Sequence, residues 1–333
     1  MSINSKNVRT FSRLLILYKK DVQMMKSGFA AILGRPNVGK STLMNRMIDM
    51  KIAITSSRAQ TTRKEIKTVY TDDRGQIVFL DTPGITRADS KLGEYMYNVA
   101  VDTLKTADVV MWLVEPTTYI GAGERKILEI LARAAAPVLL VINKSDTADA
   151  EQMQKAVDTY KAALEEAGIK SAGTENFNSE CGKNPVAVSA VTGDGTDELM
   201  GILFDILPEG PMYYDSEAVT DETERDIAAE FIREKCLKFL DKEVPHGVAV
   251  IVDSMKERPD GSLVDVEATI ICERDSHKGI IIGKGGATLK KIGSAARKEI
   301  EEMLGSRVNL KIWVKVRRDW KNNLQKLNEY GYR

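Results

Sequence analysis

The sequence predicts an α/β domain with a mostly parallel, doubly wound sheet, followed by a smaller α+β domain. Three observations carry that expectation. Short apolar runs alternate with helical stretches from Gly28 onward, the pattern of a parallel sheet covered on both faces. A segment with two prolines and a glycine, LPEGPMYYDSE (207–217), then interrupts the alternation. Beyond it the order changes to helix, two strands, two helices and a strand. A chain of 333 residues is long enough for two such cores.

In order, FAAILG (29–34) is the first strand and runs into a glycine loop, and STLMNRMIDM (41–50) is the helix after it. QIVFLDTPG (76–84), VVMWLVEP (109–116), PVLLVINKSD (137–146) and PVAVSAVTG (185–193) are the next strands. The polar run SAGTENFNSECGKN (171–184) reads as a surface loop. In the second part a helix is expected at about 221–242, and two strands within 246–274 are joined by a turn at PDGS. A short helix, a second glycine loop, a helix at 287–304 and a strand at 308–316 follow. The divisions are a loose extension (1–26), a first domain (27–208), a linker (209–217) and a second domain (218–333).

Bulk features remove several function classes. Three dispersed cysteines without CxxC argue against a disulfide framework and a zinc site, and two histidines against a His-based metal centre or triad. No apolar run approaches the ~20 residues of a membrane span. The first residues are basic and nearly free of acids. Their LLIL core is too short for a cleaved secretory signal, a mitochondrial presequence is the alternative, and Met24 or Met25 can serve as the start. Formal net charge is zero, but 215–273 holds 7 Lys/Arg against 16 Asp/Glu, and 274–333 holds 15 against 6. That basic tail is the footprint of a phosphate-backbone partner.

GRPNVGKS has Gly34, four residues, then Gly39-Lys40-Ser41, between a strand and a helix. This is a phosphate loop: backbone N–H groups surround the α- and β-phosphates, Lys40 reaches the β- and γ-phosphates, and Ser41 holds Mg²⁺. Asn37, Val38 and Thr42 complete its nucleotide contacts. NKSD selects the base. The Asp146 carboxylate accepts from guanine N1–H and N2–H₂, whereas adenine would leave a buried carboxylate unpaired. Asn143 and Lys144 brace base and loop, and in VSA, Ser189 and Ala190 approach the base, with the Ala190 N–H toward O6. DTPG supplies the Mg²⁺ and γ-phosphate sensor through Asp81 and Gly84. Within SSRAQTTRKE (56–65), Thr62, with Thr61 as alternative, closes over Mg²⁺ and the γ-phosphate. Together these are the signatures of a GTPase, with Lys40, Thr62, Asp81 and Gly84 as its catalytic set. Ile85 follows the sensor glycine where Ras-like enzymes place a water-orienting glutamine, so hydrolysis is expected to be slow.

GIIIGKGG fails as a phosphate loop: three residues separate Gly279 and Gly283, and Lys284 is followed by Gly285, which has no hydroxyl. It matches the G-x-x-G clamp of a KH domain, here Gly283-Lys284-Gly285-Gly286 between two helices, of the α-β-β-α-α-β form (type II). Such a loop approaches the backbone of single-stranded RNA. Ile280, Ile281 and Ile282 are expected in an apolar groove for unstacked bases, with Lys290 and Lys291 adding charge.

A GTPase domain followed by such a KH domain resembles the Era family of ribosome-assembly GTPases. The resemblance covers about 24–333 and rests on GRPNVGKST, AQTTR, DTPG, NKSD, VSA and the C-terminal run from IIIGKGGATLKK to VNLKIWVKVRRDW. It implies a cytoplasmic GTPase, acting as a monomer, that binds the 3′ end of 16S rRNA and serves late in 30S assembly. It also implies slow hydrolysis as a timer and loose association with the inner membrane face. In GTPases sharing GxPNxGKS, the asparagine equivalent to Asn37 helps bind K⁺. The extension before Met24 and the length of the 171–184 loop depart from the family. A metabolic P-loop kinase leaves NKSD and the KH half unexplained. A passive RNA-binding module leaves Lys40, Ser41, Asp81 and Asp146 unexplained. A tRNA-modification or large-subunit GTPase leaves the KH half unexplained.

Overall fold

The computed structural model describes residues 24–56, 58, 60–85, 89–169 and 185–332. The expectations for the N-terminal extension and the 171–184 loop lie outside the described residues.

The first sheet has the order β2-β3-β1-β4-β5-β6, with β7 paired to β1. Its strands are β1 (Met25–Leu33), β2 (Ile66–Asp72), β3 (Gly75–Asp81), β4 (Val109–Val114), β5 (Val138–Ile142), β6 (Val186–Ala187) and β7 (Glu209–Gly210). Its helices are α1 (Lys40–Met47), α2 (Lys91–Thr103), α3 (Ala122–Leu131), α4 (Ala150–Glu166) and α5 (Thr196–Ile206). β1 alternates faces with period two, and both faces are buried. Ala30 and Ile32 join the layer under α1 and α5, and Ala31 and Leu33 join the layer under α2, α3 and α4.

Parallel register places the functional loops at one edge. Ile32 is level with Asp81, Leu33 with Trp112, Val114 with Ile142, and Ile142 with Ala187. The segments after β1, β3, β5 and β6 therefore emerge side by side at the carboxyl edge, where open α/β sheets bind ligands.

Three segments differ from expectation. β2, absent from the sequence reading, pairs antiparallel with β3 as a hairpin. The strand expected over 185–193 is two residues long. Beyond it the Ser189 N–H bonds to Asp194 O and the Gly193 N–H to Ser189 O, so the chain curls out of the sheet. The segment expected as a linker packs on the first sheet: β7 pairs with β1, and the Tyr213 and Tyr214 N–H groups donate to Gln76 Oε1.

The C-terminal unit runs α6 (Glu224–Phe239), β8 (Ala249–Glu257), β9 (Val264–Cys272), α7 (Asp275–Ile282), α8 (Ala287–Leu304), β10 (Val308–Val316) and α9 (Leu324–Glu329). Its sheet has the order β10-β9-β8, with β10 parallel to β9 and β8 antiparallel. α8 buries Ile292, Ala296 and Ile300, a spacing of four that gives one apolar face. α6 buries Ile227, Phe231 and Ile232 in the same core, which continues into Met47, Ile52 and Ile54 of the first unit. A second bridge joins Leu92 and Met96 of α2 to Ala249, Ile271, Trp320 and Tyr332.

Candidate functional site: a nucleotide pocket and a G-x-x-G groove

At the carboxyl edge of the first sheet lies a cavity of about 500 Å³. The loop after β1 forms its floor. Gly39 adopts φ +98°, and a Cβ there would lie 2.3 Å from Asn143 Nδ2, so only glycine lets this loop meet the corner after β5. Asn37, Gly39, Lys40, Ser41 and Thr42 line the cavity, joined by Thr61, Thr62, Gly84, Asn143, Lys144, Asp146 and Ala190.

Lys40 is buried, and its Nζ donates to Gly34 O (3.1 Å) and Arg35 O (3.0 Å). Burial pushes its pKa down to about 8, against the opposing pull of Asp81. Asp81 lies behind Ser41 at the end of β3. Burial pushes its carboxyl up, with Lys40 as the main opposing influence. Three hard oxygens converge here: Ser41 Oγ donates to Asp81 Oδ2 (2.7 Å), Thr62 Oγ1 donates to the same atom (3.1 Å), and the two hydroxyls are 3.0 Å apart. Asp81 Oδ1 is buried without a hydrogen-bond partner among the described residues. A carboxylate oxygen left over beside two hydroxyls suits a hard divalent cation. Thr62, the first choice from sequence, sits in this cluster, whereas the Thr61 hydroxyl turns back to Arg58 O.

The corner after β5 is built by Asn143, whose Nδ2 donates to Val38 O (2.7 Å) and whose Oδ1 accepts from the Ala190 N–H (3.0 Å). The Ala190 N–H, expected to face the base, is therefore committed to Asn143. Ser189 is fully buried, and its Oγ accepts from the Thr192 N–H, so its side chain shapes the turn rather than the cavity wall. Val38 is likewise core and contributes backbone. Gly34 lies under the loop, where a Cβ would meet Leu113 O at 2.5 Å. Lys144 takes a left-handed conformation and pairs with Glu115, which also faces Arg35 at 3.6 Å. Glu115, at the end of β4, thus ties the phosphate loop to the base corner. Sequence reasoning missed it because a lone acid after a strand carries no spacing signal. Asp146 is exposed at the rim rather than buried. Ile85 is 5% exposed and packs in the core, outside the cavity lining.

The second glycine loop joins α7 to α8. Gly283, Gly285 and Gly286 all have positive φ (73°, 60° and 79°), and a Cβ on Gly283 would lie 2.3 Å from Thr288 Oγ1. Lys284 is exposed at the tip. Beside the loop runs a groove of about 350 Å³ between α8 and β10, lined by Gly286, Leu289, Lys290, Gly293, Ser294, Arg297, Leu310 and Ile312. The expectation for Ile281 is corrected: it is fully buried in the core, because helical period turns the middle isoleucine inward. Ile280 is exposed outside the groove lining, and Lys291 lies over the Phe239 ring at 4.4 Å. Leu289, Ser294 and Arg297 were missed, although 286, 290, 293 and 297 follow one helical face.

Fold and site together define a P-loop GTPase domain joined to a KH domain. The family described as "50S ribosome-binding GTPase" matches residues 29–144, and the family described as "KH domain" matches residues 243–321. "GTPase Era" of Alkaliphilus metalliredigens is 48% identical over 307 residues, 92% of this chain and 99% of that relative. "GTPase Era" of Clostridioides difficile is 48% identical over 309 residues, 93% and 99% of the two. Two solved structures each superpose with TM-score 0.84 at 34% identity, over 92% of this chain and 99% of theirs. One is an Aquifex aeolicus Era variant bound to GDP and AlF₄⁻. The other is Era in complex with MgGDPNP and nucleotides 1506–1542 of 16S ribosomal RNA. The chain belongs to the Era family of GTPases.

Proposed function

We propose that this chain is a GTP-hydrolysing switch that binds the single-stranded 3′ end of small-subunit rRNA and acts in 30S assembly. The observation that carries the reading is the union, in one chain, of the Ser41–Thr62–Asp81 oxygen cluster and a basic G-x-x-G groove. The "50S" wording of the first family description covers the GTPase half alone, whereas the Era relatives span both halves.

In this reading the phosphate loop holds the nucleotide, Lys40 neutralises the β- and γ-phosphates, and the Gly84 N–H meets the γ-phosphate. Ser41, Thr62 and Asp81 hold Mg²⁺, which neutralises charge on the phosphate oxygens when bound. Asp146 accepts from guanine, with Asn143, Lys144 and Ala190 shaping its corner. No side chain at position 85 orients water, which supports slow turnover. Gly283–Gly286 clamp the RNA backbone, Lys284, Lys290 and Arg297 face phosphates, and Leu289, Leu310 and Ile312 receive bases. The GTPase unit spans 27–208 and the KH unit 218–333, joined through 209–217. Among the described residues no helix is long and apolar enough to cross a membrane. Monomeric, cytoplasmic action and a peripheral membrane contact rest on the family resemblance alone.

The test is titration of a short 3′-end rRNA oligonucleotide against the full chain with GDPNP and then with GDP. Tighter binding with GDPNP is expected, and equal affinity would remove the switch. Lys284→Glu should weaken RNA binding about tenfold or more and lower the log–log salt slope by ~0.7 for the lost phosphate contact. An unchanged slope would take Lys284 out of the interface.

We also propose a K⁺ site at Asn37, held at φ +68° in the phosphate loop. Replacing K⁺ with Na⁺ should lower kcat about tenfold in the native chain, roughly 1.4 kcal/mol of barrier. Asn37→Ala should remove the difference, and equal rates in the two salts for the native chain would end the idea.

A further inference from the structure

The Thr62 hydroxyl lies at the oxygen cluster although it sits in a loop, and the peptide that carries it is held from both sides by the C-terminal unit. On one side Arg63, the next residue, is 1% exposed and runs out of the GTPase domain. Its Nη1 donates to Val248 O at 2.6 Å and its Nη2 to His246 O at 3.0 Å. On the other side Arg233 of α6, also 1% exposed, donates through Nη2 to Thr61 O. Glu230 fixes Arg233 through Nε (2.9 Å) and Nη2 (2.5 Å). Each domain thus sends one arginine into the other, and the two bracket Thr62.

The physical consequence is positional. A guanidinium taken out of water must keep its acceptors, since a buried charge without them is strongly disfavoured. Moving peptide 61–63 away would strip Arg63 of two carbonyls and Thr61 O of its donor together. The same loop is tied further back, where the Thr55 N–H donates to Glu234 of α6 at 2.9 Å. The loop that reads the γ-phosphate is therefore docked along α6.

We propose that Arg63 and Arg233 are positioning residues for Thr62: a reciprocal arginine clamp through which the KH unit sets how well the GTPase site distinguishes triphosphate from diphosphate. The inference rests on the reading of Thr62 as the residue that closes over Mg²⁺ and the γ-phosphate. It goes further in making the RNA-binding half part of the nucleotide-reading device. Because coupling is reciprocal, nucleotide in the pocket then biases the KH unit through the same peptide.

The test measures Mg²⁺-dependent affinity for GDPNP and for GDP in the full chain and in Arg63→Met, Arg233→Met and Thr62→Ala. A merely structural role would move both nucleotides together. The clamp predicts that GDPNP affinity falls about tenfold or more while GDP affinity stays within about twofold. Combining either arginine change with Thr62→Ala should add little, because they act through one group. Should an arginine variant fail to fold, Glu230→Gln, which loosens Arg233 and keeps the guanidinium, should lower GDPNP affinity about threefold with GDP unchanged. Loss of GDPNP affinity in Thr62→Ala, with arginine variants or Glu230→Gln unaffected or equally weak for GDP, would overturn the clamp and leave the Thr62 reading standing. No selective loss in Thr62→Ala would overturn both.

Discussion

Lys40→Met should cut GTP turnover steeply and yet make the nucleotide-free protein more stable. The ammonium is buried with two backbone carbonyls as hydrogen-bond partners, and its pKa falls from 10.5 to about 8. Unfolded, the group titrates near its ordinary value. Below pH 8 both states are protonated and the folded state bears the full cost of a desolvated charge. Between pH 8 and 10.5 the folded state sheds its proton first, so stability rises with pH across that window. The shift corresponds to about 3 kcal/mol at most, and Met removes it. Urea unfolding should show the variant more stable by roughly 1–3 kcal/mol at pH 7, with the two proteins converging only as pH passes the ordinary lysine value of 10.5. Turnover should fall by about 10³-fold or more, because the lost cation faces the developing charge of the transferring phosphoryl group. Nucleotide phosphates favour the charged lysine, so native affinity should decline above pH ~8 by up to about tenfold per pH unit. Equal stability of the two proteins at pH 7 would mean that the buried charge is already fully compensated.

The buried strands were readable in the sequence because β4 and β5 are unbroken apolar runs and β1 and β3 carry one each, FAAIL and IVFL, a pattern that needs no knowledge of partners. β2 escaped because IKTVYTD mixes apolar and polar positions on a sheet edge, and only its pairing with β3 makes it a strand. The phosphate loop and Asn143 were readable because their chemistry fixes spacing. The engagement of the Ala190 N–H by Asn143 was not, because it depends on two segments 47 residues apart meeting at one hydrogen bond. Ile281 was misplaced by assigning all three isoleucines of GIII to an apolar groove for bases, when the helical period buries the middle one. The arginine clamp left no trace in any local pattern. Arg63 and Arg233 are ordinary basic residues until the fold buries them against carbonyls 172 to 185 positions away.

Asp146→Asn should exchange base preference rather than destroy the pocket. Asp146 is exposed on the 3₁₀ turn Ser145–Thr147, so the substitution removes no core contact. The neighbouring frame is fixed independently: Asn143 is held by Val38 and Ala190, and Lys144 by Glu115. A carboxylate offers two acceptors to guanine N1–H and N2–H₂, whereas an amide offers one acceptor and sets its NH₂ against the other donor. Losing one charge-assisted bond and adding a donor–donor clash should cost about 3–4 kcal/mol, or roughly 10²–10³-fold in GTP affinity. Xanthine carries a carbonyl where guanine carries the amine, so the amide donor then finds an acceptor. Binding of xanthosine and guanosine diphosphates to the variant should reverse the native order, with Tm unchanged to within a few degrees. If GDP affinity survives the change, guanine is read by some other group and Asp146 is a rim residue. If both nucleotides are lost and Tm drops, the turn itself depends on the carboxylate.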